Sequence, residues 1–167
     1  MRTALFLICL ALPLQSACAQ EAPAAQETAA GEVPDEEIFL AAGFSKTDRG
    51  WEKCGDDSGS PSYTPGAIEQ RGDFNGDTLP DAVVTEGGTF CFGDTGTGYT
   101  LVSRQAGGGW KIMDEQQGVL TFLQTTGTGG WPDISVGGPG FCFPVMRWNG
   151  TEYAPNRYEY EGKACTP

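Results

Sequence analysis

The chain has 167 residues, with 22 Asp+Glu against 10 Lys+Arg, six Cys and no His. That length gives room for one domain, and a net charge of −12 argues against a nucleic-acid partner, whose phosphates would be repelled. The absence of His excludes Ser-His-Asp and Cys-His catalysis, His-ligated zinc and a His general base.

Residues 1–19 place Arg2 before an apolar run from Ala4 to Leu14, followed by Ala17-Cys18-Ala19. Charge, apolar stretch and small-residue A-x-A site in that order predict an export signal cleaved after Ala19, hence a periplasmic or secreted protein. The run is too short to span a bilayer comfortably, and no transmembrane segment is expected elsewhere. The alternative is a lipoprotein, in which Ser16-Ala17-Cys18 makes Cys18 a lipid-bearing terminus. Residues 20–34 hold Ala, Glu, Gln and Pro and almost no large apolar side chain. Such a stretch buries too little surface to offset its ordering entropy, so it reads as a flexible acidic linker. The folded domain then spans 35–167.

Asp35 to Gly43 reads as one short helix. Asp35 is placed to cap it, Glu36 and Glu37 suit the positive end of its dipole, and Gly43 can end it. Ile38, Phe39 and Leu40 are expected to pack on a sheet. Everything after that is β. The expected strands are Ala82–Thr85, Thr89–Phe92, Tyr99–Gln105, Trp110–Met113, Val119–Gln124, Ile134–Val136, Phe141–Trp148 and Glu152–Ala154, separated by Gly-rich turns. Asn149-Gly150 between aromatic strand residues marks a hairpin. The four Trp are expected in the core rather than on a ligand-binding face.

Once the signal is removed, Cys54, Cys91, Cys142 and Cys165 remain. An even count in a small exported domain suggests two disulfides. Three pairings are possible; the favoured one is Cys54–Cys91 with Cys142–Cys165. Each bridge would stabilise the fold by roughly 2–4 kcal/mol, largely by constraining the unfolded chain.

An internal repeat runs through the β region. Pro80-Asp81 is followed by Gly87-Gly88 and Phe90-Cys91-Phe92, and Pro132-Asp133 by Gly137-Gly138 and Phe141-Cys142-Phe143. The units cover about 71–118 and 119–167 and are expected to stack as neighbouring sheets. Phe-Cys-Phe alternates along a strand, so both aromatics are expected to face one way and Cys the other. The expected fold is therefore mainly β: a small antiparallel β domain of two degenerate propeller-blade-like repeats with one short N-terminal helix. Its open edges would be covered by that helix.

Asp73-Phe74-Asn75-Gly76-Asp77-Thr78-Leu79-Pro80-Asp81 is the segment that carries chemistry. Acidic or amide oxygens recur at its positions 1, 3, 5 and 9, and the Leu79 carbonyl stands at position 7. Ca²⁺ takes six to eight oxygens, and alternate residues of a tight loop can turn inward together. The carboxylates would repel one another in an empty loop, so a divalent cation should order it. Position 12 is Val84, so this is no EF-hand. The competing reading is an Asx-rich turn without metal.

Gly72 to Asp77 and Pro80 to Val84 resemble the FG-GAP/VCBS-type repeat, the calcium-loop unit of integrin α-chain propellers and many bacterial exported proteins. The resemblance implies Asp73, Asn75, Asp77 and Asp81 as side-chain ligands, with Leu79 through its backbone. Thr78 stands where such loops have Gly, and a β-branched residue suits positive φ poorly. The second unit has Thr125, Gly127 and Gly129 at the ligand positions and keeps only Asp133. One Ca²⁺ is therefore expected, in a structural role. The sequence reads as an exported calcium-binding β domain acting as a binding or accessory module for a protein or glycan partner. Two alternatives are a carboxylate-based hydrolase of envelope or polysaccharide substrates, and a protein inhibitor or envelope structural partner.

Overall fold

The computed structural model describes residues 33–55 and 59–167. The expected signal, the lipid-anchor alternative at Cys18 and the linker up to residue 32 lie outside the described residues. Helix α1 (Asp35–Ala41) leads into a hairpin of β1 (Ser45–Thr47) and β2 (Gly50–Glu52). A four-stranded antiparallel sheet follows in the order β3 (Thr64–Gly72), β4 (Asp81–Gly87), β5 (Thr97–Arg104), β6 (Trp110–Gln117). The second sheet is also antiparallel. It runs through β7 (Val119–Thr126), β8 (Pro132–Gly137), β9 (Phe143–Trp148), β10 (Tyr153–Tyr160) and the short β11 (Lys163–Ala164). The described part is mainly β, and the two sheets divide at Gly118. A Cβ there would lie 2.5 Å from Val136 and 2.8 Å from the Gly137 carbonyl, and its φ is +143°, so only glycine makes this join.

Strand periodicity explains the layers. In β4, Val83 faces the second sheet, while Ala82 and Val84 face helix α1; in β5, Leu101 and Val102 divide the same way. The first sheet is therefore buried on both faces at its two central strands. Between the sheets, Val83, Tyr99, Leu101 and Met113 meet Leu120, Ile134, Val136, Met146, Trp148 and Tyr153. On the outer face, Ile38, Phe39, Ala42 and Phe44 cover Ala82, Val84 and Val102. Trp131 and Trp148 are buried, Trp51 stacks on Phe39 with centroids 4.8 Å apart, and the Trp110 indole donates to Glu37 at 2.9 Å. All four Trp thus serve packing.

Several local expectations are corrected. Pro34, not Asp35, holds the cap position of α1 and makes no side-chain cap bond; Asp35 sits inside the first turn and pairs with Arg71. Leu40 is 57% exposed, because three consecutive helical residues cannot all face one side. The helix lies on the outer face of the first sheet rather than over an edge. Thr89–Phe92 is a short helix, α2, between Gly88 and Gly93, so Phe90-Cys91-Phe92 does not alternate. Strand β9 starts at Phe143, two residues late, because Cys142 takes φ +67° and interrupts the extended chain. The Asn149-Gly150 hairpin forms, pairing Trp148 with Tyr153, but Glu152 belongs to its loop and β10 runs on to Tyr160. Strands β1, β2, β3 and β11 were not expected.

Cys54 lies beside Cys91 and Cys142 beside Cys165, with Cα separations of 6.4 and 5.7 Å. Both fall in the range a disulfide spans, and both match the favoured pairing. Among the described residues no helix is long and apolar enough to cross a membrane.

Candidate metal centre

The loop from Asp73 to Asp81 joins edge strand β3 to central strand β4. Its turn is held by its own side chains. Asp73 Oδ1 accepts from the Gly76 and Asp77 amides at 2.7 and 3.1 Å, and Asp73 Oδ2 from the Thr78 amide at 2.7 Å. The Thr78 amide contributes most to holding the Asp73 carboxyl below its ordinary pKa; the Gly76 and Asp77 amides reinforce it, against a smaller rise from burial. Asn75 Oδ1 accepts from the Asp77 amide at 3.1 Å, and Asn75 Nδ2 donates to Asp77 Oδ2 at 2.9 Å. Asp77 Oδ1 accepts from the Leu79 amide at 2.8 Å. Gly76 has φ +82° and Thr78 φ +70°, so a β-branched residue does occupy the left-handed position.

The loop is braced from the second sheet. The Phe74 and Phe122 rings lie 4.6 Å apart, and a Cβ on Gly130 would come within 2.5 Å of the Asn75 carbonyl oxygen. Gly130 therefore lets the two loops touch.

Asp81 differs from the rest. Asp73 and Asp77 are exposed and Leu79 is partly buried, whereas Asp81 opens β4 at 1% exposure. Its Oδ2 accepts from the Phe74 amide at 2.8 Å, and its buried Oδ1 has no hydrogen-bond partner. Burial pushes its carboxyl up to about 6, and the charges of Asp77 and Asp73 push the same way. The Phe74 amide and the nearby Ser103 hydroxyl oppose that rise. By geometry, however, Ser103 donates to the Arg104 carbonyl at 3.3 Å, so the orphaned oxygen stays orphaned.

Asp133 occupies the matching place in the second sheet, near the start of β8, and is 0% exposed. Its Oδ2 accepts from Thr125 Oγ1 at 2.6 Å, Arg147 Nη2 at 2.8 Å and Arg157 Nη1 at 2.6 Å, and its Oδ1 from Arg147 Nε at 2.9 Å. Burial alone would raise this carboxyl; the hydrogen bonds from Arg147, Thr125 and Arg157 outweigh it and hold the group well below the carboxylate range. Two buried carboxylates at corresponding strand positions are thus treated differently. One has two guanidinium partners, and the other has acidic neighbours and an empty-handed oxygen.

The four expected side-chain ligands therefore share one loop, but with unequal burial. Among the described residues, no group of three or more His, Cys, Asp or Glu side chains is gathered tightly enough to hold a metal ion. The carboxylates of Asp73 and Asp77 are turned toward the loop's own amides. Arg71, at the end of β3, donates to the Val33 carbonyl and pairs with Asp35.

The sequence reading missed Arg147 and Arg157, whose signal is the conservation of Asp133 inside the repeat without its companion acids. It also missed Glu86, the second acid of β4 after Asp81. Glu86 is buried and accepts from the Lys53 and Cys54 amides at 2.9 and 3.1 Å and from the Tyr63 hydroxyl. Comparison with known proteins finds no matching family model, no matching curated protein and no matching solved structure.

Proposed function

We propose that the chain is an exported calcium-binding β domain whose single cation is structural, and that the domain serves as a binding or accessory module for a protein or glycan partner. The observation that carries this reading is the contrast between Asp81 and Asp133. A buried carboxylate without a counter-charge is costly, and Asp133 has two arginines for that purpose. Asp81 has an orphaned oxygen beside two further carboxylates. A divalent cation supplies the missing charge. Asp73, Asn75, Asp77 and Asp81 would hold it through their side chains and Leu79 through its carbonyl, as in the FG-GAP/VCBS-type loops the segment resembles. The four-stranded and five-stranded meanders dividing at Gly118 fit a pair of degenerate blade-like units. The two cysteine pairs fit a periplasmic or secreted location.

The hydrolase alternative calls for a solvent-open cleft holding two carboxylates outside the loop. Outside the loop, Glu86 already accepts from the Lys53 and Cys54 amides and the Tyr63 hydroxyl, and Glu115 is paired with Lys53 at 2.7 Å.

Thermal denaturation in calcium and in chelator tests the proposal. Calcium should raise the melting temperature of the native protein, and Asp77→Ala should abolish that rise. An unchanged calcium response in Asp77→Ala removes the site.

A further inference from the structure

A cavity of about 320 Å³ lies on the first sheet, away from the acidic loop. Its walls are the rings of Phe44, Phe92 and Tyr99, the side chain of Val84 and the Cys54–Cys91 pair. Its polar lining comes from Lys53, Glu86, Glu115, Gln116 and Gln117. The volume matches the lower end of small-ligand pockets, as does an apolar wall with a few convergent polar groups.

The lining's one cation and most of its other donors are already in use. Lys53 Nζ donates to the Ala42 carbonyl at 3.0 Å, to Thr100 Oγ1 at 3.4 Å and to Glu115 Oε2 at 2.7 Å, which accounts for its three protons. The Tyr99 hydroxyl donates to Asp114, Gln116 Nε2 donates to Asp114 at 2.9 Å, and Gln117 Nε2 donates to the Cys91 carbonyl at 3.1 Å. What the lining offers beyond these is mainly acceptors: the oxygens of two side-chain amides and two carboxylates, of which Glu86 already accepts from the Lys53 and Cys54 amides and the Tyr63 hydroxyl. Lys53 pairs with Glu115, and among the described residues Glu86 forms no ion pair. Two carboxylates against one ammonium leave one negative charge in excess. The Phe44 ring already carries the Lys53 ammonium 5.9 Å from its centroid, and aromatic faces attract cations.

We propose that this cavity binds a small organic ammonium: a protonated primary amine on an aromatic or short aliphatic body. The amine's protons meet the excess acceptors, and its apolar body meets Phe44, Phe92, Tyr99 and Val84. A carboxylate ligand would meet two carboxylates against the single ammonium of Lys53, which is already spent. This site does not depend on calcium in the Asp73–Asp81 loop.

The test uses purified, oxidised protein and three probes of one shape: benzylammonium, benzyl alcohol and benzoate. Amide chemical-shift titration reads where and how tightly each binds. Benzylammonium should saturate, with shifts clustered at Lys53, Gly98 and Gln117. Benzyl alcohol should bind about tenfold more weakly and benzoate more weakly still, since a hydrogen bond to a charged group is worth roughly a factor of ten or more. Glu115→Gln should weaken benzylammonium by about tenfold. Gln117→Lys, at an exposed position, should do the same. Asp77→Ala should leave the titration unchanged, which separates this cavity from the acidic loop. Benzoate binding as tightly as benzylammonium overturns the proposal. So does a benzylammonium response that is absent at millimolar concentration, or that is insensitive to Glu115→Gln.

Discussion

Asp133→Asn is the perturbation that most sharply probes how this fold handles buried charge. The substitution keeps the side chain's shape and one carbonyl oxygen but removes the charge that two guanidinium groups share. Four hydrogen bonds converge on this carboxylate, three of them from Arg147 and Arg157. Bonds to charged groups contribute about 1.5–3 kcal/mol singly, but they act as one unit, and breaking a buried pair costs about 3–5 kcal/mol in all. The Arg147 and Arg157 side chains are 40% and 26% exposed, so water can resolvate them. The low end, about 3 kcal/mol, is therefore expected. For a domain of this size that corresponds to a fall of about 10 °C in melting temperature. Denaturant unfolding with the disulfides intact reads the loss, and an unchanged m-value shows that the unfolded state is not the cause. The sign with pH follows from the depressed folded-state pKa of Asp133. Its contribution is complete above the unfolded carboxylate pKa of about 4 and is lost as pH falls below it. Asp133→Asn should therefore shrink the acid-induced loss of stability. A variant within about 1 kcal/mol of the native protein, with its acid limb intact, would refute the reasoning.

Asp81 should behave with the opposite sign. In chelator its raised folded-state carboxyl makes the ionised form costly, so stability should rise as pH drops through about 6; pH-dependent melting of native and Asp81→Asn protein checks this, and the variant should show no such rise. Thr78→Gly should stabilise the fold by about 1 kcal/mol in denaturant titration, because Thr78 holds φ +70° and glycine adopts that conformation without a steric cost.

Much of this organisation is legible in the sequence because it is local. The Asp73–Asp81 spacing marks the loop, the Asn149-Gly150 pair marks the hairpin, and the Gly-Gly dipeptides mark connections between strands. Strand β3 escaped because Pro65, Gly66, Glu69 and Arg71 break any apolar alternation. An edge strand tolerates them, since one of its sides makes no ladder bonds and one face is solvated. Helix α2 escaped because Phe90-Cys91-Phe92 has strand composition, while the flanking Gly88 and Gly93 set its conformation. The treatment of buried charge was the least legible part. Arg147 and Arg157 reach Asp133 from two later strands, and Tyr63 and the Lys53 and Cys54 amides reach Glu86 from a different segment of chain. Contacts of that range arise from the sheet order, which no short motif encodes. The unequal burial within the acidic loop has the same origin. Asp73 and Asp77 lie on the turn, whereas Asp81 has already entered a central strand covered on both faces.

Isothermal titration of calcium into the metal-stripped protein addresses the central claim most directly. One ion should bind per chain in the native protein and in Asp133→Asn, and none in Asp77→Ala. Heat that fails to saturate at one equivalent, or saturable binding that persists in Asp77→Ala, would leave Asp81 buried without a cation and contradict the account.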